Sequence, residues 1–100
     1  MSVIITLEAN LKPNQKETLL SMLEELLPET RAYKGFIDIT IHIEKESNHL
    51  LFFEKWETVN DYESYLAWRR ETGVMERLGM LFEEQPVIRY YDTFHIPPHE

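Results

Sequence analysis

Strict alternation of apolar and polar side chains sets one stretch of this chain apart. Ile37, Ile39, Ile41 and Ile43 point one way along residues 36–44, and Phe36, Asp38, Thr40, His42 and Glu44 point the other. A period of two is that of a strand with two different faces. The same parity runs through residues 3–9, where Val3, Ile5, Leu7 and Ala9 oppose Ile4, Thr6 and Glu8. Residues 50–57 read as a third strand, with Leu51 and Phe53 opposing Leu50, Phe52 and Trp56, and residues 87–94 as a fourth. The polar run 45–49 is short enough to predict a hairpin between the second and third strands. Symmetric pairing across that turn sets His42 near Phe52 and Asp38 near Trp56, so that His42, Phe52 and Trp56 share a face.

Between the strands the period changes. Leu19, Leu20, Met22, Leu23, Leu26 and Leu27 follow helical spacing within residues 14–27, with Gln15, Lys16, Glu17, Ser21, Glu24 and Glu25 on the wet side. Pro13 suits the first helical position, and Pro28 is expected to end the helix. Gly35 stands where a turn with positive φ is needed before the next strand. Thr58 can cap a second helix, with Asp61 completing a variant of the capping box. Tyr62, Tyr65, Leu66 and Arg69 follow at i, i+3, i+4 and i+7 and so share one face. Thr72-Gly73 breaks that helix; Val74, Met75, Leu78, Leu81 and Phe82 predict another short one before Pro86. Pro97 and Pro98 keep residues 95–100 out of regular structure.

The order β-α-β-β-α-(α)-β predicts an α+β fold of the ferredoxin-like, split βαβ kind, as a single domain over residues 1–100. In it a four-stranded antiparallel sheet carries helices on one face. Both faces of the strands carry apolar residues, so the face without helices calls for a second copy of the chain, a homodimer joined sheet to sheet.

Composition narrows the partners. With 18 acidic against 10 basic side chains the formal charge is -8, which repels phosphate backbones and anionic lipid, so neither nucleic acid nor a membrane surface is expected. There is no cysteine, which removes disulfides and thiolate chemistry. The chain opens directly on a strand pattern, with no leader or spanning segment in it, and a cytoplasmic location is expected.

Chemistry concentrates at the corner 51–69, which holds Glu54, both tryptophans, Tyr62 and Tyr65. Such rings are either core or the wall of a pocket for a flat organic ligand. His42 is either a general base with a pKa near neutrality or an ordinary strand histidine. Arg69 is either an anion stabiliser or half of an ion pair with Glu63 or Glu76. Glu54, costly to bury alone, reads as structural, meeting an arginine or a backbone N–H. His95 and His99 have a metal-like spacing that Pro97 and Pro98 spoil, so no metal site is expected. No phosphate loop, nucleophile elbow or HExxH sequence occurs.

Thr30-Arg31 followed by Gly35-Phe36, Glu54-x-Trp56, the helix from Trp56 to Tyr65, and Pro86-Val87 entering the last strand together resemble the antibiotic biosynthesis monooxygenase family of dimeric α+β barrels. The resemblance implies a homodimer with a cavity between each sheet and its own helices. It also implies oxidation of an aromatic or quinol-like molecule by dioxygen without flavin, haem or metal. His42 would be the base. Trp56, Tyr62 and Tyr65 would position the substrate beside Phe36, Phe52 and Leu66, and Arg69 or Arg77 would stabilise the anion. The family's asparagine four residues before the tryptophan is Phe52 here, and its helix histidine is Tyr65. The axial histidine of the haem-degrading branch would fall near Met75, so haem is not expected. The alternative is a non-catalytic dimer that binds a small molecule on the same scaffold.

Overall fold

A computed structural model describes residues 2–99. Seven elements follow in order: β1 (Val3–Asn10), α1 (Lys16–Ala32), β2 (Phe36–Ile43), β3 (His49–Trp56), α2 (Val59–Glu71), α3 (Val74–Gly79) and β4 (Val87–Tyr91). The strands form one sheet in the order β2-β3-β1-β4, and every pairing is antiparallel. This is the split βαβ arrangement that the periodicities predict.

Val3, Ile5, Leu7 and Ala9 of β1 are buried with Leu50, Phe52 and Trp56 of β3, and the helices supply Leu19, Leu23, Tyr62, Leu66 and Leu78 to the same two clusters. Helices therefore cover one face of the sheet. The other face runs in rows from His42 through Leu51 to Glu8, from Thr40 through Phe53 to Thr6, and from Asp38 through Lys55 to Ile4. Phe53 and Tyr91 are each 44% exposed on that side.

Five expectations about the elements are corrected. β4 ends at Tyr91 and does not run on to residue 94. α1 begins at Lys16, not residue 14, because Asn14 has φ 63, which no right-handed helix contains. The same helix runs on past Pro28 to Ala32. The hairpin between β2 and β3 pairs Ile41 with Phe52 and His42 with Leu51, one residue away from the symmetric expectation. Because side chains alternate, that slip moves His42 to the open face, away from Phe52 and Trp56. Lastly, α3 stops at Gly79, since Leu81 and Phe82 turn back to pair with the end of β1, Leu11 bridging to Phe82.

Candidate functional site

β3 and α2 meet at a corner whose geometry is set locally. Phe52, Glu54 and Trp56 share a face because they stand two apart, and α1 and α2 cover that face. Thr58 Oγ1 accepts the Asp61 N–H at 2.9 Å and so starts α2 directly behind β3. Gly35, at φ 88, lies so close to the Asp61 side chain that a Cβ there would collide with it, and its carbonyl accepts the Glu57 N–H at 2.7 Å. Folded back this way, α2 lays Tyr62, Tyr65, Leu66 and Arg69 over β3.

Trp56 is 0% exposed. Phe36 and Tyr62 meet it edge-on with ring centroids at 5.4 and 5.6 Å, and Tyr65 lies tilted against it at 5.0 Å. Tyr33, from the segment between α1 and β2, completes the cage at 6.2 Å. Phe36 reaches this side although alternation grouped it with His42: a bulge between Phe36 and Asp38 extrudes Ile37 and restores Phe36 to the face of Trp56.

Two buried polar groups stand within this apolar setting. Trp56 Nε1 donates to Glu54 Oε1 at 2.9 Å, and Glu54 is 4% exposed with no cation paired to it among the described residues. Burial pushes its carboxyl up to about 7, the indole hydrogen bond only partly opposing this. Arg69 is 2% exposed; its Nε donates to the Tyr65 hydroxyl at 3.0 Å, and Nη2 donates to the Leu26 carbonyl at 2.8 Å and to Thr30 Oγ1 at 3.0 Å. Its ion pair is with Glu29, at 3.3 Å, and not with Glu63, Glu76 or Glu54. Tyr65 and Thr30 hydroxyls hydrogen-bond each other at 2.7 Å. Tyr62 makes no side-chain hydrogen bond among the described residues; its phenol is held protonated well above the ordinary range by burial first and by the neighbouring Glu54 charge second.

Between sheet and helices these groups enclose a cavity of about 40 Å³. Phe52, Glu54, Tyr62, Tyr65, Leu66 and Arg69 line it with Thr30, Ile39, Met75 and a set of leucines. Such a space holds a few water molecules, whereas sites for drug-sized ligands span roughly 300–1,000 Å³. An open groove of about 560 Å³ lies outside, between α3 and β4, and Met75 lines both spaces.

Of the residues singled out in the sequence, Phe52, Tyr62, Tyr65, Leu66 and Arg69 line the cavity, while Trp56 and Phe36 back it. His42 is exposed across the sheet, where its Nε2 hydrogen-bonds Thr40 Oγ1 at 2.8 Å, and Arg77 is exposed on α3. Sequence reasoning passed over Thr30, Tyr33 and the role of Glu54. Parity with Trp56 was the signal for Glu54; Thr30 stood in the Thr30-Arg31 motif with no role attached, and nothing in the sequence pointed to Tyr33. Among the described residues no cluster of three or more metal-ligating side chains occurs, and no helix is long and apolar enough to cross a membrane.

The profile of the family named antibiotic biosynthesis monooxygenase matches residues 2–74. Among solved structures, a conserved protein of Methanosarcina mazei superposes with a TM-score of 0.81 at 17% identity, over 91% of either chain. A monooxygenase from the gene ActVA-Orf6 of Streptomyces coelicolor, solved with nanaomycin D, does so at 0.79 and 18% identity, over 98% of this chain and 93% of its own. A Deinococcus radiodurans protein provisionally named an antibiotic biosynthesis monooxygenase gives 0.78 at 18% identity over 98% of both chains. No curated protein sequence matches this chain.

Proposed function

Because the chain belongs to the antibiotic biosynthesis monooxygenase family, we propose that it oxygenates a small, flat, reduced aromatic molecule held between the sheet and the helices. Dioxygen is the oxidant and the substrate's own electrons do the reducing. For a methylene flanked by phenolic rings the balance closes without a redox cofactor: CH2 and O2 become C=O and H2O, the four electrons leaving the carbon. The protein then has to bind the reduced molecule away from water, favour loss of its acidic proton and keep the developing anion from escaping.

The observation that carries this reading is the apolar cavity at the β3–α2 corner, with a carboxyl, two phenols and a guanidinium among its walls. Tyr62 supplies a donor to a ligand oxygen, and Arg69 fixes Tyr65 through the bond to its hydroxyl. A ring fits only when the cavity widens, and access runs past Met75, whose unbranched side chain separates it from the outer groove. The ligand of the Streptomyces coelicolor relative supports a small-molecule occupant of the fold. A homodimer through the open sheet face belongs to the same proposal. Phe52, where the family pattern has asparagine, favours the second reading, a binding protein without turnover, because it removes a polar contact from the wall.

Purified, metal-stripped protein is incubated with dihydroxynaphthalenes and anthrones while oxygen uptake and quinone absorbance are followed. The expected outcome is quinone formation above autoxidation, reduced tenfold or more by Tyr62→Phe, on the order of one lost transition-state hydrogen bond. Ligand-induced quenching of tryptophan fluorescence without any oxygen uptake supports the binding protein instead.

A further inference from the structure

The carboxyl of Glu54 has the placement of a reacting group rather than of a structural one. It is 4% exposed, sits on the central strand β3, and has neither a cation nor a backbone N–H as partner among the described residues. One oxygen is tethered, since Oε1 accepts the Trp56 indole N–H at 2.9 Å. The other accepts no hydrogen bond among the described residues. Thr6 Oγ1 is the only wholly enclosed side-chain polar atom without a partner among the described residues, so Glu54 Oε2 is not wholly enclosed, and the space its side chain lines is the cavity. Trp56 is itself locked by four rings, which fixes the direction of the carboxyl.

We propose that Glu54 is the proton acceptor of this cavity, its Oε2 taking the phenolic proton of the bound molecule while Trp56 holds Oε1. This rests on the function proposed above and names a base for it. In the step, the substrate O–H bond breaks and its electron pair stays on the substrate oxygen. A new O–H bond forms at Oε2. The electron pair passes through the ring to the carbon opposite, which bonds to dioxygen as a peroxide. Oε2 returns the proton to the outer peroxide oxygen. Loss of the remaining C–H proton then breaks the O–O bond, leaving C=O while the departing hydroxide takes that proton as water. Tyr62, whose hydroxyl has no partner among the described residues and stays protonated, donates to the substrate oxygen as its charge grows.

Among the described residues no other group takes this role. His42 lies on the far face of the sheet, the Tyr65 hydroxyl is engaged by Arg69 and Thr30, and Arg69 cannot deprotonate. The neighbourhood leaves the carboxyl free to titrate. β1 and β2 present Ile5 and Ile39 to it, and the cavity-lining side chains of α3 are apolar. From α2 it meets Tyr62, Tyr65 and Arg69, the last turned toward Glu29 and Thr30 of α1; from β4 comes Tyr90, edge-on to Tyr62. A carboxyl raised to about 7 by burial is also matched to a proton transfer near neutral pH.

The test is the pH dependence of kcat/KM for anthrone oxidation by oxygen uptake. Wild type is expected to show an acid limb with its midpoint near 7; Glu54→Gln, which keeps size and an acceptor for Trp56, is expected to lose the limb and about 10²–10⁴ of kcat. Glu54→Asp should keep the limb at reduced rate, which a purely structural carboxyl would not reproduce. An unchanged limb in Glu54→Gln, with wild type active, overturns the assignment of Glu54 alone. Wild type inert toward every probe overturns the oxygenase reading and this base with it. Should the Gln variant not fold, Trp68→Phe leaves Trp56 as the single tryptophan, and its emission should titrate near pH 7; a flat profile overturns the proposal.

Discussion

Glu54 turns a question about function into one about stability. A carboxyl that ionises at 4.5 in the unfolded chain and at about 7 in the folded one binds its proton more tightly when folded. Between those pH values the native state holds a proton that the unfolded state has lost, so stability falls as pH rises through this window and levels off above it. The size is on the order of 3 kcal/mol for a group this buried. Urea denaturation at pH 5 and pH 8 should show that loss in wild type and a much flatter dependence in Glu54→Gln. An equal slope in both proteins would mean that the carboxyl is solvated in the native state. The sequence announced a costly carboxylate at this position through its parity with Trp56, but not its partner. An indole N–H two residues along the same strand satisfies one oxygen only, and that shortfall separates a candidate base from a structural ion pair.

At the scale of elements, the helices and strands were legible because their periods differ, whereas the face of β2 was not, because period alone does not label faces. Its register depends on the turn. Glu44 N–H bonds to the His49 carbonyl at 2.9 Å and Glu46 takes φ 58, so four residues close the hairpin and each pair from Asp38 to Ile43 slips by one from the symmetric guess. The slip carries His42 out of the site, and the bulge at Ile37 then carries Phe36 in. Pro28 is the other failure of local signals. It removes the hydrogen bond to the Glu24 carbonyl, yet α1 continues to Ala32, because Thr30 is buried and Arg69 grips the Leu26 carbonyl and Thr30 Oγ1. Tertiary hydrogen bonds from a buried guanidinium outweigh the local cost of the proline. Pro28→Ala should therefore stabilise the protein, by about 1–3 kcal/mol in urea denaturation, since it restores a backbone bond without disturbing the Arg69 contacts.

At the scale of the whole molecule, the described residues leave one face of the sheet uncovered. Ile4, Leu51, Phe53 and Tyr91, with Thr6 and Glu8, surround a shallow hollow of about 430 Å³ there, and Thr6 Oγ1 is enclosed without a partner. Glu8 closes one end of it, accepting from Arg89 Nη1 at 2.7 Å and bonding His49 Nε2 at 2.8 Å, and these contacts, that of His49 first, hold its carboxyl below the ordinary range. An apolar centre with a paired polar margin is the anatomy of a protein interface. A two-fold axis through the hollow would set the same rows of two chains against each other. Two chains of charge -8 repel each other at long range, so association should strengthen with added salt as screening sets in. Sedimentation at micromolar concentration should return twice the 12.0 kDa of the single chain. Phe53→Asp, placing two carboxylates in an apolar contact, should return the single-chain mass with unchanged circular dichroism. Because the cavity lies on the other side of the sheet, that variant should still quench on ligand binding. A monomeric wild type would leave the open face without a second copy, and loss of binding together with loss of the dimer would mean that the site needs the partner chain.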